Sequence, residues 1–290
     1  MCKLITCLVV LCVVAGFTLA DDKADAFTFT TIDPPGSTAT FPFGISPEGD
    51  IVGNYVASGH NHGFLLHEGD FTTIDFPGST ATLARRINPQ GDVVGFYFVG
   101  AVSHGFLLQE GTFTTINFPG ATSTLAFGIN PQGDIVGWYV DSGGGNHGFL
   151  LRQGVFTSID FPGAGSTRVF GINARGDIAG SYAASPASPP QAAHAFLLHQ
   201  GAFTTVDPPG STGAFVLGIS PQADVVGSYF VSGVQHGFLR HHQGAFTTID
   251  PPGSTATTAT GINPEGDIVG FYVVSGVTHG FIAKILPNRA

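Results

Sequence analysis

The sequence predicts an all-β fold: a six-bladed β-propeller of four-stranded blades, closed by the N-terminal strand completing the last blade. Three observations predict it. Phe-Thr-Thr-Ile-Asp or a close variant begins at Phe29, Phe71, Phe113, Phe156, Phe203 and Phe246, at spacings of 42 to 47 residues. A period of this size marks a solenoid, propeller or array. Each period holds four strand-like runs separated by turn chemistry. The chain also starts with a lone Phe-Thr-Thr strand and ends, in GVTHGFIAKILPNRA, without one. The first strand then completes the last blade and hides its loose edge. A pair of tandem β-trefoils would not need its first strand to serve its sixth repeat.

The elements follow in order within the repeat. In the second repeat TATLARRI is the first strand, NPQG a turn, and DVVGFYFV the second strand. The second runs, such as Ile51-Val52-Gly53-Asn54-Tyr55-Val56, are apolar nearly throughout, which demands cover on both faces. Sheets stacked face to face around an axis provide it. Gly53, Gly95, Gly137, Gly180, Gly227 and Gly270 recur in this strand and are expected where neighbouring sheets approach closely. The third strand opens with His-Gly-Phe or His-Ala-Phe, and a turn such as Glu68-Gly69 leads to Phe-Thr-Thr, the fourth.

With Glu68-Gly69 as a two-residue turn the register of that last hairpin follows, whereas a glycine bulge at Gly69 would slide every pair by one residue. Leu66 then faces Phe71, Phe64 faces Thr73, and His62 faces Asp75. The same count pairs His104 with Asn117, His147 with Asp160, and His194 with Asp207. Ring closure pairs His279 with Asp33. His236 and Asp250 meet only if the extra residue at His241-His242 forms a bulge. A His–Asp pair repeated around a ring gives no single place for a substrate, and Asn117 is neither acid nor base, so these residues are expected to be framework. The turn acids Asp50, Asp92, Asp134, Asp177, Asp224 and Asp267 are expected to shape their turns.

Residues 1–20 carry one lysine, an apolar run and small residues before DDKAD, the layout of a secretory signal peptide cut near Ala20. Residues 27–285 form one domain, exported to the extracellular space or periplasm. Cys2, Cys7 and Cys12 all lie in the signal segment, so the mature domain has no disulfide or thiolate site. Charged residues are 10% of the chain and the net charge is −10. An acidic surface without a basic cluster argues against nucleic acid and anionic membrane as partners. No cofactor, metal or catalytic motif is found, neither an HExxH helix, a nucleophile elbow nor a phosphate loop.

The unit GIN-xx-G-D-I-V-G-x-Y, followed by H-G/A-F-L-L-xx-G-x-F-T-T-I-D, resembles the HAF family of bacterial extracellular repeats. The tripeptide of that name stands here as His194-Ala195-Phe196. The resemblance covers residues 27–283 and implies an exported bacterial repeat protein. It implies no activity and no catalytic residue.

Function is then sought where the repeats differ. The first strand carries glycine at Gly44, Gly128, Gly171, Gly218 and Gly261, but arginine at Arg86, with Arg85 beside it. Arg168 stands where other repeats have Phe41, Leu83, Leu125, Phe215 or Thr258. Arginine at a partly desolvated channel mouth holds a carboxylate or sulfate through its fork of donors, or fills the mouth as a solvated or internally paired side chain. Trp138, the one tryptophan, offers a surface for a sugar ring or packs between blades. The loops after the second strand, with His60 in ASGHN (57–61), Asp141 in DSGGGN (141–146) and the long AASPASPPQAA (183–193), vary on the face where binding is expected. The expected function is a secreted, non-catalytic, monomeric propeller that binds a glycan or a protein at the cell envelope. The alternative is an extracellular polysaccharide lyase or hydrolase at the channel mouth.

Overall fold

The computed structural model describes residues 26–286; the expected signal segment lies outside the described residues. Apart from one 3-10 turn at Pro190–Ala192, every described element is a β-strand. Each repeat folds as an antiparallel meander. In the first repeat it runs through Ala39–Ile45, Ile51–Ala57, His60–His67 and Asp70–Ile74, paired in that order. Four such four-stranded sheets are separate. Repeats three and four instead share one eight-stranded sheet, joined only by the parallel pair Asn146 and Ser166. The first strands of the six repeats touch in cyclic order, the last against the first. The molecule is a β-propeller.

The chain ends meet in one sheet. Phe27–Ile32 pairs antiparallel with Val277–Ile285, from Phe27 opposite Ile285 to Ile32 opposite Gly280. Phe29 packs edge-on against Phe281 with ring centroids 5.7 Å apart.

The core lies between successive sheets. Val52 and Ile74 of repeat one pack with Ala84, Val93 and Phe106 of repeat two, and the same sandwich recurs around the ring. The phenylalanine of each His-Gly-Phe unit (Phe64, Phe106, Phe149, Phe196, Phe238 and Phe281) is almost wholly buried. It also explains the second-strand glycine. Gly53 lies opposite Phe64, and a β-carbon there would come within 2.2 Å of Phe41 O and 2.8 Å of the Phe64 ring. The close approach is therefore inside one sheet, not between neighbouring sheets as expected. The glycine that neighbouring sheets do crowd is in the first strand: a β-carbon at Gly44 would meet Arg86 Cα at 2.9 Å and Arg85 O at 3.0 Å.

Turn chemistry sets the rest. Glu68 and Gly69 both take positive φ, 49° and 93°, as a two-residue hairpin turn matched to strand twist requires. Leu66 accordingly pairs with Phe71 and Phe64 with Thr73. In repeat five the extra residue forms no bulge. It lengthens the turn, closed by His241 N–H donating to Ala245 O at 2.9 Å, and the strands keep register with Gly237 opposite Ile249. In the turn after the first strand, Asn88 Oδ1 accepts from the backbone N–H of Gln90 and Asp92, and Asn88 Nδ2 donates to Asp92 Oδ2 at 3.0 Å.

Candidate binding site at the channel mouth

The histidines of the third strands sit beside the acids that end the fourth. Nδ1 lies 2.8 Å from the carboxylate in His62–Asp75, 2.9 Å in His147–Asp160 and 2.7 Å in His194–Asp207. His236–Asp250 and His279–Asp33 are also at 2.7 Å, and His104 reaches Asn117 at 3.0 Å. Each ring also faces a tyrosine of its own second strand, as Tyr55 does His62. The tyrosine hydroxyl bonds a fourth-strand hydroxyl, Tyr55 to Thr73 at 3.0 Å. The next residue reaches onward: Phe76 stacks on Tyr97 of the following repeat, 3.6 Å apart and nearly parallel. The His–acid pairs therefore sit within a seam between strands and between sheets.

The two adjacent arginines of repeat two do different things, because a β-bulge falls on them. In every repeat the pairing of first and second strands slips by one residue, here between Ala84 and Arg86. A bulge re-aims side chains. Arg86 enters the channel and donates to Phe43 O at 3.0 Å, Leu217 O at 2.8 Å and Thr260 O at 3.2 Å. Its guanidinium is spent on backbone carbonyls of three other repeats, and burial pulls its pKa down to about 10. It floors a cavity of ≈ 90 Å³ lined by Ile45, Ile87, Pro89, Asn173 and Ile262. These residues are at the ends of first strands and in the Asn-Pro turns, so this cavity opens on the face opposite the variable loops.

Arg85, the bulged residue, goes to the other side and is 8% exposed. Its guanidinium carbon lies 3.7 Å from the Phe43 ring centroid, 4.8 Å from Phe96 and 5.3 Å from Phe127. Nε and Nη1 are enclosed with no acceptor, and burial lowers its pKa to about 9, still charged at neutral pH. Phe127 continues to Trp138, stacked with centroids 6.4 Å apart, and Arg168 lies over the Trp138 ring at 4.8 Å. Arg85, Phe127, Trp138 and Arg168 thus form one continuous row. Trp138 Nε1 and Arg168 Nε have no hydrogen-bond partner. Arg168 also lines a cavity of ≈ 50 Å³ beneath the 184–193 loop, with Ser166, Ser181, Ser185, Ser188 and Phe215. Burial lowers the Arg168 pKa as well.

Among the described residues, no ion pair involves Arg85, Arg86 or Arg168, whereas Arg152, Arg175 and Lys284 each meet an aspartate. In a chain of net charge −10, three interior cations without a carboxylate are the anomaly of this structure. Of the sequence-derived candidates the fold gathers Arg85, Trp138 and Arg168, and sets the others apart. Arg86 is in the channel. His60 is exposed and lies in the strand His60–His67 rather than in a loop. Asp141 shapes its own loop, accepting from Gly143 N at 2.9 Å and Gly145 N at 2.7 Å, and its second oxygen lies 3.4 Å from His147 Nε2. Sequence reasoning missed Phe43, Phe96 and the serine-lined cavity. The only signal was an aromatic ring where other repeats carry smaller residues, Leu217 and Thr260 at the position of Phe43, Ser181 and Ser228 at that of Phe96. No group of three or more His, Cys, Asp or Glu among the described residues could hold a metal ion.

No family model and no curated protein matches the chain. Solved structures do. A putative TolB from Agrobacterium tumefaciens superposes with a TM-score of 0.58 at 14% identity, covering 91% of each chain. A catalytically inactive virginiamycin B lyase from Staphylococcus aureus, bound to quinupristin, gives 0.53 at 13% identity, covering 90% of this chain and all of that one. The lectin of Aleuria aurantia, complexed with Fucα1-6GlcNAc, gives 0.50 at 13% identity, covering 89% and 99%. The likeness is one of fold. Propellers of this kind serve binding and enzymatic proteins alike, and at such identities no site residue is transferred.

Proposed function

We propose that this protein is a secreted, HAF-type repeat protein that binds a glycan or a protein at the bacterial envelope without chemical turnover. Its ring is taken as six-bladed, the eight-stranded sheet counting as two blades bridged by a single residue pair, with the last blade completed by Phe27–Ile32. The binding surface is the channel mouth on the side of the variable loops. The observation that carries this reading is the row Arg85–Phe127–Trp138–Arg168, where aromatic rings are combined with two guanidinium charges that no carboxylate among the described residues meets. Arg168, the half-buried end of the row, is where an acid of the ligand would supply the missing counter-charge. Binding rather than catalysis is supported by five of the third-strand histidines being tied to acids in repeating pairs at the seams. That propellers related in fold hold Fucα1-6GlcNAc or quinupristin is consistent with a ligand-binding use of this architecture.

A screen of the purified mature chain against immobilised glycans and soluble polysaccharides, read both for retention and for chain cleavage, tests the proposal. Retention without cleavage, lost in Arg168→Gln, is the expected result. Depolymerisation that disappears in Arg168→Gln overturns it in favour of a polysaccharide lyase or hydrolase.

A further inference from the structure

We infer that the small cavity at Arg168 is a subsite for the carboxylate of an acidic sugar, with the sugar ring beside Trp138. This rests on the glycan reading above and specifies its ligand class. The cavity's size decides what can enter it. At ≈ 50 Å³ it is a few times the roughly 10–15 Å³ that a single water needs, room for one small substituent. It holds a group of three heavy atoms.

Its chemistry decides which group. Arg168 supplies a cation with no carboxylate partner among the described residues, and a guanidinium fork matches a planar carboxylate with two parallel bonds. Ser185 Oγ and Ser188 Oγ accept backbone N–H groups of Ala187 and Ser185 at 3.0 and 3.1 Å, which leaves their own protons to donate. The polar groups of the wall that remain free to bond are therefore donors, set among Pro186, Pro189, Pro190 and Phe215. Arg85 adds a second positive charge at the far end of the aromatic row. The acids on this face are engaged elsewhere: Asp75, Asp160 and Asp207 with histidines, and Asp141 with its own loop. The missing carboxylate must come from outside. Beside the cavity the half-buried indole, with the Arg168 guanidinium over its ring, gives the C–H groups of a sugar an exposed apolar edge next to the cation. A uronic acid carries both features, a carboxylate on one carbon of a ring with an apolar face.

Trp138 is the only tryptophan of the chain, so its fluorescence reports on this site in the unaltered protein. The full chain is titrated in parallel with trigalacturonate, neutral galactotriose, a sulfated galactotriose and sodium acetate. Trigalacturonate is expected to shift the tryptophan emission at concentrations at least about tenfold lower than any of the others, as loss of a charge-assisted bond implies. Arg168→Gln should weaken that binding about tenfold or more, Trp138→Phe should abolish the optical signal but keep part of the calorimetric affinity, and Arg168→Lys should fall between. Equal binding of the neutral trisaccharide overturns the carboxylate subsite while leaving the glycan reading in place. Equal binding of the sulfated sugar overturns the choice of carboxylate, and equal binding of acetate overturns the sugar. Failure of every saccharide, here and in the glycan screen, removes the glycan reading itself and leaves a protein ligand.

Discussion

His147 is the histidine of its series with a carboxylate at each ring nitrogen, Asp160 at Nδ1 and Asp141 at Nε2. Partial burial opposes its charging, but the hydrogen bonds and charges of Asp160 and then Asp141 outweigh it, and its pKa is raised. Asp141 is held low, first by the Gly145 N–H, then by Gly143 and His147, against the opposing effect of burial. The folded state therefore binds the imidazole proton more tightly than the unfolded state. This contribution to stability is complete below the unfolded histidine value near 6.5 and is lost as pH rises through the higher folded value. Asp141→Asn keeps the oxygen that Gly143 and Gly145 bond and removes the charge. Its melting midpoint should lie below wild type throughout, because the charge-assisted bonds from Gly145 and Gly143 persist at every pH above the carboxylate range. The deficit should be roughly 1–2 °C larger at pH 5.5 than at pH 8.5, a small difference because the pair is half-exposed. A deficit that is constant across this range would show that the loop, not the charge on His147, is responsible. The pairing of His147 with Asp160 was legible in the sequence once a two-residue turn was assumed, and the positive φ of Gln153 and Gly154 is what excludes the bulge that would have shifted it. The contact with Asp141 was not legible, because it depends on the path of a loop. The different fates of Arg85 and Arg86 were not legible either, because nothing in TATLARRI marks the bulge that separates them.

The element-scale rule is that each third strand packs closely on the first strand of the next repeat, and one exception tests it. Five repeats read His-Gly-Phe and one reads His-Ala-Phe. A β-carbon at Gly237 would meet Thr257 Cγ2 of the next repeat at 3.1 Å. The residue equivalent to Thr257 beside Ala195 is Ala214, which has no γ atoms, and the two alanines share one fully buried cluster. The methyl gained at 195 is matched by the threonine lost at 214. Ala214→Thr should therefore destabilise the protein by about 1–3 kcal/mol through overpacking. Ala195→Gly added to it should restore much of that loss, with a coupling energy of about 1 kcal/mol or more in the double-mutant cycle. Simple additivity, measured by denaturant unfolding, would show that these positions do not meet. The meander and its period were readable from the repeated turns, whereas the close glycine contacts were placed between sheets because sequence alone cannot tell a neighbour in the same sheet from one in the next.

Two features join the molecule as a whole, the strand Phe27–Ile32 in the last sheet and the guanidinium of Arg86 on the channel axis. The strand closure was visible in the permuted ends of the sequence. Arg86 left two readings open in the sequence, an anion site and an internally paired arginine filling the channel, and its three backbone bonds bear out the second. The channel is narrow enough at this level for strand-one carbonyls of other repeats to supply the acceptors. Whether such a charge stabilises the ring depends on magnitudes. Burial that brings a guanidinium to about 10 corresponds to roughly 3 kcal/mol of lost solvation. Against this stand three charge-assisted bonds at about 1.5–3 kcal/mol each, so the bonds win. Arg86→Met retains an unbranched side chain of similar length and removes every donor. It should cost about 2–4 kcal/mol and lower the melting midpoint by roughly 5–10 °C, while leaving affinity at the Arg168 site unchanged because Arg86 opens on the opposite face. A variant as stable as wild type would mean that water serves the three carbonyls equally well, and that the ring is held by the strand closure and the packing between sheets alone.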